Sequence, residues 1–172
     1  MRLRLKNMEY ANMLLDWSST SKDYDHQSSR IDLEKICKEK HLSVSIYKFA
    51  DERDVKRKNC FAYALNLEPY GEELWTPEGD DISTWIQNGQ IVKDPCGNIT
   101  IYFNSTDIPI HMGINKGSLI ESKWGKSHVC LHALNDSPYG SFTERFSVTN
   151  REQLLKSWKD VAEQMAKPPT IF

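Results

Sequence analysis

Lys58-Asn59-Cys60-Phe61-Ala62-Tyr63-Ala64-Leu65 follows directly on a charged run that begins at Asp51 and ends with Lys58. Asn59 is a favourable helix N-cap, and the residues from Phe61 to Leu65 suit a buried helix. This reading sets Cys60 in the first turn of a helix packed into a core. Unpaired backbone N–H groups and the helix dipole favour an anion there, so a thiolate is expected to be stabilised and the thiol pKa lowered. Arg57 and Lys58 add positive charge nearby. Cys60 is therefore a candidate nucleophile; the competing reading is a small buried apolar residue, which free cysteines usually are.

Upstream, residues 7–17 carry Met8, Ala11, Met13, Leu14, Leu15 and Trp17, a short amphipathic helix. A polar loop over 18–30 precedes a second helical pattern through about Lys40, and Ser43 to Phe49 alternates as a strand. Residues 1–50 thus read as a helical lead-in with one strand, and 51–172 as the main domain. Downstream, the Cys60 helix is expected to end near Pro69-Tyr70-Gly71. Asp80 or Asp81 caps a short helix holding Ile82, Trp85 and Ile86, and Gly89 ends it. Strands follow at 99–103, 108–114, 118–124 and 128–134, with another at 144–148. Thr149-x-x-Glu152 opens a C-terminal amphipathic helix on which Leu154, Leu155, Trp158, Val161, Ala162 and Met165 form one stripe.

The 172 residues suit a single α+β domain with a core of its own. Twenty-two basic against 24 acidic residues leave a net charge of −2, which marks no nucleic-acid partner. No export signal or membrane-length apolar run is present, so a cytoplasmic protein in a reducing compartment is expected. The four cysteines are scattered without a C-x-x-C pair, which argues against a zinc ribbon or a disulfide framework, and no cofactor is expected.

A cysteine nucleophile needs a base and a group that orients it. In Ile110-His111-Met112-Gly113-Ile114, strand alternation sets His111 and Gly113 on the face opposite three apolar residues, with room above the glycine. His111 is the expected base. A three-residue Asn115-Lys116-Gly117 hairpin loop with glycine last would put Glu121 across from His111 as the orienter. The competing reading makes Glu121 an ordinary cross-strand surface charge. A two-residue loop, Lys116-Gly117, would put Ser122 there instead. His128 and His132 are alternative bases. A zinc site on His128, Cys130 and His132 is disfavoured because ligands at alternate strand positions span too far to converge. Trp75, Trp85 and Trp124, with Asn59 and Ser122, are candidates for walling a substrate cleft.

Asn59 to Leu65 resembles the cysteine motif of the NlpC-like and CHAP-like branch of the papain-fold hydrolases. Asn98 to Phe103 is similar to the strand before that branch's histidine, Ile110 to Ile114 to the histidine strand, and Leu119-Ile120-Glu121 to the strand bearing the third polar residue. Ser122-Lys123-Trp124-Gly125, His132 and Tyr139-Gly140 also resemble a poorly characterised bacterial papain-like group. The resemblance spans residues 58–125. It implies a papain-like fold, with the cysteine helix on a small antiparallel sheet and Cys60, His111 and Glu121 as nucleophile, base and orienter. That third position usually holds histidine, asparagine, aspartate or glutamine, so the glutamate is a departure.

The resulting expectation is a hydrolase that cleaves a peptide, isopeptide or glutamine side-chain amide through a thioester, or a transferase if an amine or hydroxyl intercepts that thioester. An unexported hydrolase would also suit an intracellular toxin or effector delivered to another cell. A non-catalytic peptide- or protein-binding module that keeps the fold is the rival expectation.

Overall fold

A computed structural model describes residues 3–4, 10–20, 26–52, 55–71, 76–125 and 127–165. Among the described residues five α-helices surround one sheet: α1 (Ala11–Thr20), α2 (His26–Lys40), α3 (Cys60–Ala64), α4 (Gly79–Gln87) and α5 (Arg151–Met165). The strands are β1 (Leu3–Arg4), β2 (Val44–Lys48), β3 (Ile91–Lys93), β4 (Ile99–Phe103), β5 (Pro109–Lys116), β6 (Leu119–Lys123), β7 (Val129–His132) and β8 (Phe142–Val148). They run β1-β8-β4-β5-β6-β7-β2, with β3 also paired to β8, and all the pairings among the described residues are antiparallel. The chain is a mixed α/β protein.

The sheet divides the interior in two. On one face Ile99, Ile101, Met112 and Phe146 pack against Cys60 and Phe61 of α3, Ile82 and Trp85 of α4, and Leu154 and Trp158 of α5. On the other face Trp124 and Cys130 pack against Leu14 and Trp17 of α1 and Leu33 of α2. The helical lead-in therefore supplies the cover of a sheet face, and β2 extends the sheet by pairing with β7.

Local chemistry sets the element ends. Asn59 caps α3 as expected, its Oδ1 accepting the Ala62 N–H at 2.8 Å. The helix stops at Ala64, well short of Pro69. Asn66 takes a left-handed φ of 47°, and Leu67 N–H donates back to the Ala62 carbonyl at 2.8 Å, a Schellman closure. Helix α4 begins two or three residues earlier than a cap at Asp80 or Asp81 would give, with Glu78 at the N-cap and its backbone N–H held by Asp81 at 2.8 Å. Gly89, at φ 71°, ends it as expected. The short strand β3 carries no alternation long enough to read from sequence.

The β5–β6 hairpin departs from expectation. Lys116 pairs with Leu119, closing a two-residue loop of Gly117 and Ser118, with Gly117 at φ 66°. Glycine supplies a positive φ at the first position of such a loop as readily as at the last position of a three-residue one. The frame slides accordingly: Gly113 faces Ser122, and Ile114 faces Glu121. At the other end of β5 a register shift lets Tyr102 face His111 and Phe103 face Pro109. Ile110 is the residue left over, and it turns to solvent instead of joining Met112 in the core.

Candidate functional site

Cys60 lies where the sequence puts it, at the start of α3, but it is sealed. The residue is 8% exposed and belongs to the α3–α4–α5 core. Burial pushes its thiol up to about 12. Backbone N–H groups of Met112, Phe61 and Cys60 itself, and the charge of Lys123, pull the other way without overcoming it. The expected lowering does not occur because α3 has only five residues, so its dipole is small beside the cost of desolvation. Nor does Lys58 act on the sulfur: its buried ammonium reaches Glu68 at 2.7 Å.

His111 sits on the opposite face. Directly paired residues point to the same side of a sheet, and His111 shares its side with Tyr102. Its ring stacks on Tyr139 at 4.0 Å between centroids and lies 5.3 Å from Tyr102. Met112, the next residue, points to the Cys60 side. No hydrogen bond joins His111 to Cys60, and His111 Nε2 is buried without a partner. Burial, with His132 nearby, holds the imidazole well below its ordinary pKa, hence neutral. The room expected above Gly113 is filled: a Cβ added there would lie 2.5 Å from Ile120 Cγ2 and 2.9 Å from Ser122 Cβ.

Glu121 is not across from His111. With the hairpin frame moved, it lies on the Cys60 side, accepting the Tyr63 hydroxyl at 2.7 Å, with Lys116 Nζ at 3.5 Å. The fold therefore does not assemble Cys60, His111 and Glu121 into one site. Asn59 is structural, donating from Nδ2 to the Pro77 carbonyl at 2.6 Å in addition to its cap. Trp85 and Trp124 do not wall a cleft. They are buried in the two separate cores, and Trp75 lies outside the described residues.

Ser122 and His132 do come together. Trp124 Nε1 donates to Ser122 Oγ at 3.0 Å, and Ser122 Oγ lies 2.8 Å from His132 Nε2. With His132 Nδ1 donating to the Ala133 carbonyl at 2.8 Å, the hydroxyl proton goes to Nε2. Burial lowers His132 to about 4, so this tautomer is neutral across the physiological range. The chain has the donor order of a nucleophile, base and orienter, but both side chains are fully enclosed, and it satisfies buried polar groups. His128 Nδ1 accepts the Ala50 N–H at 3.0 Å. Lys123, 1% exposed, donates to the Ser127 carbonyl at 2.5 Å, and burial lowers its ammonium to about 8.

A concavity of about 400 Å³ lies elsewhere, at the end of the α4–sheet interface. Ile86, Ile91, Phe103, Pro109 and Phe146 form its apolar floor, and Ser83, Gln87, Lys93, Asp107 and Glu144 its polar rim. Lys93 and Glu144 form an ion pair across that rim. The sequence offered no motif here, because the lining comes from α4, β3, β4, β5, β8 and the β4–β5 loop, each contributing one to three unremarkable residues. Comparison with known proteins finds no matching family model, no matching curated protein and no matching solved structure. No helix among the described residues is long and apolar enough to cross a membrane.

Proposed function

We propose that this chain is a non-catalytic ligand-binding domain whose order of elements is papain-like and whose ligand seats in the α4–sheet pocket. One observation carries this: a recess of about 400 Å³ lies clear of Cys60, and its volume falls within the range of ligand sites. An apolar floor with a few convergent polar groups is the usual make-up of such sites. The sheet lies between Cys60 and His111, so the expected imidazole base is out of reach of the thiol, and the buried thiol is far from ionised at neutral pH.

A cysteine hydrolase or transferase is the second reading. It is favoured by the cluster of backbone N–H groups and the Lys123 ammonium around the Cys60 sulfur, which would stabilise a thiolate once the site opened. It requires a rearrangement of β5 that brings His111 through to the α3 side. Iodoacetamide at pH 7 separates the two. Under the binding reading, exposed Cys96 is alkylated while Cys60 and Cys130 react only on denaturation. Fast alkylation of Cys60 that slows in His111→Ala would establish the hydrolase and remove the binding domain.

A further inference from the structure

Another recess, of about 220 Å³, opens on the other face of the sheet. Thr143 and Arg145 alternate along β8 with Glu144 and Phe146, so their side chains leave the sheet on the side away from α4 and α5. Thr100 of β4 pairs directly with Arg145 and shares that side. Pro95 and Leu134 add hydrocarbon walls, and the Lys93–Glu144 ion pair lies along the rim. The polar groups differ in what they already hold. Thr100 Oγ1 donates to Asn115 Oδ1 at 2.6 Å, and Asn115 Nδ2 donates to the Gly97 carbonyl at 2.8 Å, so that hydroxyl proton is engaged. Lys93 and Glu144 hold one another. Arg145 is different: among the described residues its guanidinium has no ion pair and no hydrogen bond. Thr143, only 2% exposed, likewise has no side-chain hydrogen-bond partner among the described residues. The donors still open to a ligand are therefore a planar fork and a hydroxyl, two residues apart on one face of one strand. That strand is hydrogen-bonded on both flanks, to β4 on one side and to β1 and β3 on the other, so their spacing is fixed.

We propose that this recess binds a small organic carboxylate, with its oxygens on the Arg145 guanidinium and the Thr143 hydroxyl and its hydrocarbon on Pro95 and Leu134. Parallel N–H groups of a guanidinium match the two oxygens of a carboxylate, which gives the site its preference. The hydrocarbon walls supply binding that does not depend on charge, by removing apolar surface from water. The volume keeps the ligand small, since about seven water molecules would fill it at ~30 Å³ each. The site is separate from the α4–sheet pocket, and what binds there does not bear on it.

The test is titration of the full-length protein with isobutyrate, isobutyramide and acetate, followed by NMR at the amides of Thr100, Leu134 and Thr143. Isobutyrate is expected to bind about ten-fold tighter than isobutyramide, which has its shape without its charge. It should bind about three-fold tighter than acetate, which buries less hydrocarbon. Arg145 is exposed, so the preference over the amide should shrink in high salt, and substitutions there leave the core intact. Arg145→Gln should bring isobutyrate to the level of the amide, and Arg145→Lys, which keeps the charge without the fork, should fall between. Equal binding of isobutyrate and isobutyramide, or a ratio unchanged in Arg145→Gln, overturns the carboxylate selection. Acetate binding as tightly as isobutyrate overturns the hydrocarbon contact. Absence of shifts at Thr100, Leu134 and Thr143, or shifts confined to Ser83 and Gln87 of the α4–sheet pocket, overturns this recess as a site and leaves the ligand-binding reading of the other pocket standing.

Discussion

His132 shows how burial and one hydrogen-bond chain settle a side chain's charge. Its ring accepts from Ser122, donates to Ala133 and is enclosed by Tyr102 and Trp124, so its protonated form is strongly disfavoured. The folded pKa of about 4 lies below the ordinary value of 6.5. Between these two pH values the unfolded chain takes up a proton that the native chain refuses, so stability falls as pH drops through this window. For His132 alone the loss approaches about 3 kcal/mol at pH 4, and His111 acts in the same direction. Urea denaturation at pH 7, 5.5 and 4.5 should show a declining midpoint, and the His132 imidazole resonances should stay unmoved through pH 6.5. An imidazole that titrates near 6.5 in the folded protein would contradict this account.

At the scale of elements, α3 depends on a single side chain twice over. Asn59 caps the helix and bonds the Pro77 carbonyl, tying α3 to the segment that leads into α4. Asn59→Ala loses both and should cost about 2 kcal/mol, while Asn59→Ser keeps a cap and should cost about half as much. Urea midpoints of the two variants check the ranking. The Asn59 cap and the strand segments were legible in the sequence because they are local; the start of α5 was one residue off, since Asn150 Oδ1 and not Thr149 accepts the Gln153 N–H, while Thr149 Oγ1 donates to the Gly89 carbonyl. The site was not legible, for two non-local reasons. The hairpin frame rests on which position of a turn Gly117 occupies, and that choice moves Glu121 away from His111. The depth of Cys60 is set by α5 and α4, which cover it from remote parts of the chain. Lys123 illustrates the same limit, since a lysine in a strand reads as exposed until its neighbours are known.

For the molecule as a whole, the sheet is a partition between two independently packed interiors. Ile82 lies in the core beneath α4 and α5, and Cys130 in the core beneath α1 and α2. Ile82→Val and Cys130→Ala should each cost about 1 kcal/mol, and the double variant should equal the sum within about 0.5 kcal/mol. A coupling energy well above that, measured by a double-mutant cycle, would mean that the two interiors are one. The position of β8 carries a different kind of consequence. This strand lies between β4 and the pair β1 and β3, yet it is made after all three. A ribosome therefore releases the flanks of the sheet before the piece that joins them, and the α5 cover over Cys60 emerges after β8. Until α5 is made, the thiol lacks part of the cover that seals it in the finished protein.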